Sequence, residues 1–344
     1  MSGLACLSAL ASRMPMDAFE RLAFRRDDLE EAVTRLHTAT GAAQLLLLST
    51  CERVELYAIG ARDEGALADA LSAEALFDRP LGGAASLLLG DDAAEHLLRV
   101  TAGLESSVLG DCDVVAQVRA AGAIARVRGA SGTELDRLVA TAVHASRRVR
   151  RATTFDDTGR SVAASAVRLA AQLRGGLAGR SVVVAGAGNA AATVVAEAGA
   201  RGARVTVCNR TRRHAERYAA AGAAVLDLGR LPEAVADADV VVLATASAHR
   251  LLEPRDLAPS RELLVLDLGV PRNVDPAVRA LPGVVLHDLE DLRALGPDPS
   301  ARLLAEVARA EQILAEELGR YRRWLLGRLA AATLGRLPTA ASSR

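Results

Sequence analysis

Five short apolar runs, at 181–185, 204–208, 239–244, 263–268 and 284–287, constrain this chain more than any other feature. They are almost continuous in Val and Leu, with none of the in-out alternation of a strand that faces water on one side. Runs of that kind, separated by helical stretches, are strands buried on both faces, which requires a parallel sheet covered by helices above and below. The expected architecture is therefore α/β over about 160–297, closed by Pro297 and Pro299. Beyond them Leu303, Val307, Ala310, Leu314, Leu318, Tyr321 and Leu325 recur at alternating spacings of four and three. That pattern predicts one long amphipathic helix with a narrow apolar seam, suited to lie along other domains or a partner helix. Residues 338–344 are expected to fray.

The first part of the chain reads as a second, mixed α/β unit. Helices are expected at 26–36 and 64–76 and strands at 44–49 and 54–59. Gly82 and Gly83, with Gly90-Asp91-Asp92, mark a break, and Asp91 or Asp92 is placed to cap a helix carrying Glu95, His96 and Leu97. A helical, arginine-rich stretch covers 114–151, and the polar segment 153–159 suits a hinge. The domain organisation expected is 1–152, 153–297 and 298–344.

Composition excludes several classes of function. The 42 basic residues balance 42 acidic ones and all are arginine. Without lysine there is neither a Schiff-base amine nor a Walker-type phosphate loop. Zero net charge gives no general attraction to nucleic acid, and 2% aromatic residues argue against base-stacking platforms. Cys6, Cys51, Cys112 and Cys208 are too scattered for a zinc knuckle or a redox pair, so no metal is expected, and four thiols in so long a chain suit a reducing compartment. No apolar run approaches the ~18 residues of a membrane span and no signal peptide is evident. The expected location is cytoplasmic.

Two stretches carry chemistry. In Leu45-Leu46-Leu47-Leu48-Ser49-Thr50-Cys51-Glu52-Arg53-Val54-Glu55-Leu56-Tyr57 an apolar run stops at a cysteine with an arginine two positions on. A guanidinium there can bind a carboxylate and favours thiolate over thiol. A buried strand-end cysteine, the commoner fate of the residue, explains the stretch equally well. The second stretch is Gly186-Ala187-Gly188-Asn189-Ala190-Ala191, at a strand-to-helix junction. Gly186 permits the tight turn, Gly188 lets the backbone approach a pyrophosphate at the helix N-terminus, and Ala191 replaces the usual third glycine, implying slightly looser helix–strand packing. Cys208 ends the next strand, 22 positions after Gly186. An NAD site would offer an acid to the ribose there; Asn209-Arg210-Thr211 offers a cation and a hydroxyl, which suit a 2′-phosphate. The cofactor expected is NADPH.

A candidate thiol nucleophile followed by an NADPH fold resembles the glutamyl-tRNA reductase family over about residues 24–326. The resemblance rests on Ser49 to Tyr57, on Val100-Thr-Ala-Gly-Leu-Glu-Ser-Ser-Val-Leu-Gly110, on Gln117-Val118-Arg119, and on Asn209-Arg210-Thr211. Ala244-Thr-Ala-Ser247 and Asp267-Leu-Gly-Val-Pro-Arg-Asn-Val-Asp-Pro276 complete it. It implies an N-terminal α/β catalytic domain, a Rossmann-type NADPH-binding domain and a long C-terminal helix left from a dimerisation domain. It further implies that Cys51 takes the glutamyl group from charged tRNA as a thioester, which NADPH reduces to glutamate-1-semialdehyde, the first step of tetrapyrrole synthesis. Arg53 would hold the substrate carboxylate, Thr50, Ser106 and Gln117 would line the pocket, and His96 would be needed for activity as orienting group, acid or base.

The chain departs from the family pattern at Glu52, usually asparagine, at Asp111-Cys112-Asp113 within the pocket, and at Ser8 to Arg13. It also stops soon after the long helix, where family members continue. Glutamyl-tRNA, a second copy of the chain along that helix, and a partner that receives the semialdehyde are the implied partners. For tRNA the candidate contacts are Arg147, Arg148, Arg150, Arg151, Arg320, Arg322 and Arg323, although a solvated helical face explains them as well. A paralogue acting on another aminoacyl-tRNA or acyl thioester, and a non-catalytic binding protein, stay open as alternatives.

Overall fold

The computed structural model describes residues 3–334 except 64, 75–83, 108, 112, 154, 156–161, 246, 248, 258–261 and 295–300; at 293–294, 301–303 and 332–334 it describes the backbone alone. Cys112, the breaks expected at Gly82-Gly83 and Pro297-Pro299, most of the 153–159 hinge and the 338–344 tail lie outside these residues.

Strands β1 (Leu4–Leu10), β2 (Gln44–Ser49), β3 (Arg53–Ile59) and β4 (Ala85–Leu89) form an antiparallel sheet in the order β2-β3-β1-β4. Helices α1 (Met16–Leu22), α2 (Leu29–Thr40), α3 (Gly65–Glu74), α4 (Gly90–Thr101), α5 (Val114–Val127) and α6 (Thr133–Ala152) accompany it. The stretch 114–151 is thus two helices, parted where Gly129 takes a positive φ of 65°. Neither Asp91 nor Asp92 caps α4; both lie in its first turn, where their charge still suits the helix dipole.

Helix α7 (Val162–Leu173) leads into the second sheet, made of β5 (Ser181–Ala185), β6 (Arg204–Asn209), β7 (Ala224–Asp227), β8 (Val240–Leu243), β9 (Leu263–Asp267) and β10 (Val284–Asp288). All its pairings are parallel and the order is β10-β9-β8-β5-β6-β7. The strand order therefore reverses between β5 and β8, and in such sheets ligands bind beyond the strand C-termini at that point. Helices α8 (Asn189–Ala200), α9 (Arg212–Ala215), α10 (Leu231–Ala236) and α11 (Leu289–Ala294) complete this unit.

Helix α12 (Ala301–Leu334) runs back along α6 and α4. Its seam residues Ala310, Leu314, Leu318, Tyr321 and Leu325 are buried against the first unit, so the chain itself covers the seam. Ion pairs reinforce the contact: Arg148 joins Glu316 and Glu317, and Arg322 joins Asp91; Arg320 joins Glu317 within α12 itself. Three of the arginines expected to meet tRNA phosphates are thus committed to carboxylates. No helix among the described residues is long and apolar enough to cross a membrane.

One apolar cluster is continuous across both units, taking in Ala9, Leu47, Val54, Phe19 and Leu22 from the first and Val162, Val184, Val194 and Leu266 from the second.

Candidate active site

The thiol stands at the tip of a tight hairpin. Ser49 pairs with Val54 across β2 and β3, and the Thr50 backbone N–H donates to the Arg53 carbonyl at 2.9 Å. The Thr50 hydroxyl accepts from the backbone N–H groups of Glu52 and Arg53 at 3.1 and 3.2 Å. Thr50 therefore builds the turn, a use that Ser and Thr share with Asn and Asp. Cys51, between the strands, is half-buried and packs against the shared apolar cluster, as do Ala187, Ala190, Ala244 and Val270 around the second sheet. The thiol is not sealed in the core, and the cluster it packs against also carries the dinucleotide loop.

Behind the hairpin lies a buried polar network. Arg53, Glu55 and Tyr57 alternate along β3 and share one face. Glu55 Oε1 accepts from Ser8 Oγ at 2.8 Å and Arg53 Nη1 at 3.4 Å, and lies 2.8 Å from His96 Nε2, while Oε2 accepts from the Tyr57 hydroxyl at 2.7 Å. Burial alone would raise the Glu55 carboxyl, but the hydrogen bond and charge of His96, with Arg53 and Tyr57, bring it down to about 2. An ionised carboxylate only accepts, so His96 Nε2 carries the proton and Nδ1 is the nitrogen left to exchange one. Glu55 is thus the hub of the site, a role that its sequence context alone does not mark. Cys6, Glu55 and His96 present possible metal donors within 4.8 Å of one another, yet both Glu55 oxygens are already held by protein donors.

Arg53 is 2% exposed and also donates to the Glu105 carbonyl. Nη1 and Nη2 thus each meet one protein acceptor, which fixes the guanidinium beside the hairpin. Glu52 is likewise held by protein groups. Its Oε1 accepts from Ser107 Oγ at 2.6 Å and its Oε2 from Ser107 N at 3.1 Å, which ties the 105–107 segment to the hairpin.

That segment belongs to a glycine-braced loop. A Cβ at Gly103 would lie 2.6 Å from Asp111 N, and one at Gly110 would lie 2.9 Å from the Phe155 ring; both take positive φ, at 77° and 82°. Within the loop Ser106 Oγ is buried without a hydrogen-bond partner, and so is Gln117 Oε1 on α5. An unmet buried polar group costs ~1–3 kcal/mol, so two at positions expected to line the pocket fit groups that await a ligand. Asp111 accepts from Asp113 N at 3.0 Å. Burial pushes its carboxyl up to about 7, with the charges of Asp113 and Glu52 adding to the rise; burial raises Asp113 too. Burial therefore favours the neutral form of both carboxyls at this departure from the family pattern.

The dinucleotide loop follows β5. Gly186 has φ +115°, and a Cβ there would strike the Ala244 carbonyl oxygen, so glycine is required by both conformation and space. Gly188 is different: a Cβ there would meet nothing within 4 Å. That open approach, beside the exposed Asn189 that begins α8, leaves room for a pyrophosphate at the helix N-terminus. Ala190 is half-buried and Ala191 fully buried in the shared cluster, so the helix packs closely without the third glycine. At the end of β6, Asn209 Nδ2 donates to the Thr211 carbonyl at 2.8 Å and shapes the turn that leaves Arg210 exposed. Cys208, where an acid would meet a ribose, is buried and its thiol is raised to about 11 by desolvation. Two residues not singled out from sequence also hold the loop. The Tyr218 hydroxyl donates to the Gly188 carbonyl at 3.2 Å, and Arg217 donates to the Ala187 carbonyl and, at 2.7 Å, to the Tyr218 hydroxyl.

Residues 8–153 match the family model of the glutamyl-tRNA(Glu) reductase N-terminal domain, and residues 168–295 match that of shikimate/quinate 5-dehydrogenase. Glutamyl-tRNA reductase 2 from a Nocardioides species is 47% identical over 98% of this chain and 78% of its own length. The chain belongs to the glutamyl-tRNA reductase family. Another member, glutamyl-tRNA reductase from Rubrobacter xylanophilus, is 35% identical over 90% of this chain and 75% of its own. The solved glutamyl-tRNA reductase from Methanopyrus kandleri covers 94% of this chain, and 81% of its own, at 29% identity with a TM-score of 0.52.

Proposed function

We propose that this chain reduces glutamyl-tRNA to glutamate-1-semialdehyde with NADPH, the first step of tetrapyrrole synthesis. The observation that carries the reading is the place of Cys51: half-buried on a rigid hairpin tip, packed against the same cluster as the Gly186 loop. Family membership supports the substrate.

The Cys51 thiolate attacks the carbonyl carbon of the aminoacyl ester. A C–S bond forms, the C–O bond to the terminal ribose breaks, and the tRNA leaves as an alcohol after taking a proton. His96, with Nε2 pinned by Glu55, is suited to move that proton through Nδ1. Ser106 and Gln117 supply the unmet polar atoms that would orient the acyl group. A dinucleotide bound at the Gly186 loop would supply the hydride that the thioester carbon needs; with cleavage of the C–S bond the aldehyde would leave and Cys51 would return to its thiolate. Gly186 to Ala191 would hold the pyrophosphate, and Asn209, Arg210 and Thr211 the 2′-phosphate that selects NADPH. In this reading residues 1–152 form the thioester, 153–297 bind the cofactor and 298–344 supply the helix that carries a second copy. Exposed Leu304 and Leu326 on α12 support that pairing. A partner that accepts the semialdehyde fits the reactivity of a free α-amino aldehyde.

The test is incubation with labelled glutamyl-tRNA and NADPH. Semialdehyde should form, and Cys51→Ser should lose it entirely; no product from the unmodified protein overturns the reading.

A further inference from the structure

One ion pair joins the two halves of this site. Glu20 lies on α1, in the first unit; Arg272 lies in the loop after β9, in the second. Glu20 Oε1 accepts from both the backbone N and the Nε of Arg272 at 2.8 Å, and its Oε2 accepts from Nη2 at 3.4 Å. Both side chains are largely shielded from solvent, at 19% and 24% exposed, so the pair is screened less than a surface bridge. Using the backbone N–H as well as the guanidinium fixes the course of the loop, which a side-chain contact alone would not.

Each end of the pair is tied to a reacting part. On the first side, Phe19 and Leu22 anchor α1 in the core, and the Phe24 N–H beyond it donates to Ser49 Oγ at 3.1 Å, two positions before Cys51. On the second side, Asn273 follows Arg272 directly. Its fully buried side chain accepts from Thr245 N and Oγ1 at 3.2 and 2.7 Å and donates to the Pro271 carbonyl at 3.2 Å. Val274 N donates to Asp267 Oδ2 at 2.9 Å. The loops after β8 and β9 are thereby one piece, and Ala244, the neighbour of Thr245, is the residue that crowds Gly186. A continuous path of short contacts runs from the thiol hairpin through Glu20 and Arg272 to the dinucleotide turn.

We propose that Glu20 and Arg272 form a positioning latch that sets the distance between the Cys51 thioester and the hydride donor. The inference rests on the reduction assigned above and adds to it the residues that align its second half. Thioester formation draws on Cys51 and His96, both in the first unit. Hydride transfer needs a donor held by the second unit to meet a carbon held by the first, and a displacement of ~1 Å can cost ~100-fold in such a step. The latch therefore acts on reduction and leaves acylation alone.

The experiment is single-turnover kinetics on the full chain with Glu20→Gln, Arg272→Gln and the exchanged pair Glu20→Arg/Arg272→Glu. Labelled glutamyl-enzyme formed without NADPH reads acylation; semialdehyde formed with saturating NADPH reads reduction. Each single variant should acylate within about twofold of the parent and reduce at least ~10-fold more slowly, with the NADPH KM little changed, and the exchanged pair should recover part of the lost rate. Reduction at the parental rate, or acylation falling in the same proportion, overturns the latch. Amide hydrogen exchange gives a second reading independent of turnover: Glu20→Ala should speed exchange at the Arg272 N–H, whose hydrogen bond Glu20 accepts in the parent, and unchanged exchange there overturns the latch. If the unmodified protein makes no semialdehyde, the assigned reaction fails, and the exchange comparison still decides the contact.

Discussion

The two halves of the site are built on opposite plans. Around Cys51 specificity is invested in side chains: Glu55 alone gathers Ser8, Arg53, Tyr57 and His96, and Glu52 gathers Ser107. Around Gly186 it is invested in backbone: one glycine that cannot bear a side chain, another with open space above it, and carbonyls clamped by Tyr218 and Arg217. A pocket that must manage an ester, a thiolate and a proton needs charges held in fixed relation. A pyrophosphate needs only N–H groups and room. Substitution should therefore hurt the first half through lost partners and the second through steric exclusion.

The sharpest way to break this contrast is Glu55→Leu. It strands a buried guanidinium and a buried phenol, and should lower unfolding stability in urea by about 3–5 kcal/mol. A loss below ~1 kcal/mol would mean that the network is ornamental. Next comes Gly186→Val, which should weaken NADPH binding in calorimetry by ~100-fold, about 2.7 kcal/mol, while Cys51 still acylates. Equal loss of acylation would show that the halves are not separable.

Buried aspartates give a finer test, since each half has one raised to about 7: Asp111 in the first, Asp267 in the second. In both cases desolvation is the chief cause. A carboxyl raised in the folded state binds a proton that the unfolded chain has already released. Its stabilisation is full below ~pH 4 and fades as pH rises through about 7. Asp111→Asn should flatten that slope and add on the order of 2 kcal/mol at pH 8, seen by denaturation across pH. The smallest effect expected is at the exposed Arg210: Arg210→Ala should cut the preference for NADPH over NADH by about tenfold, or ~1.4 kcal/mol.

Legibility in the sequence followed the same divide. The core strands of the parallel sheet are continuous apolar runs and were readable as such, but β7 (Ala224–Asp227), short and only partly buried at the sheet edge, carries no such run. β1 carries little sequence signal, because its small residues, Ala5, Cys6, Ser8 and Ala9, lack the β-branched signature of a strand. The Thr50-Cys51 turn was legible from its residues; the role of Glu55 was not. An acid in an alternating strand reads as the solvent face until a helix is known to cover it, and α4 does so here with His96. The available signal was the shared face of Arg53, Glu55 and Tyr57, three polar side chains spaced by two. Arg148, Arg320 and Arg322 show the converse: sequence shows their charge, and only packing shows the carboxylates opposite them.

The crowding of Gly186 by the Ala244 carbonyl has a thermodynamic corollary. A turn that its own scaffold already holds rigid has no freedom left to surrender when a nucleotide arrives. Association at that crevice then escapes an entropic toll that a floppy loop would incur, and calorimetry should register a heat-capacity change no larger than contact with the nucleotide alone requires.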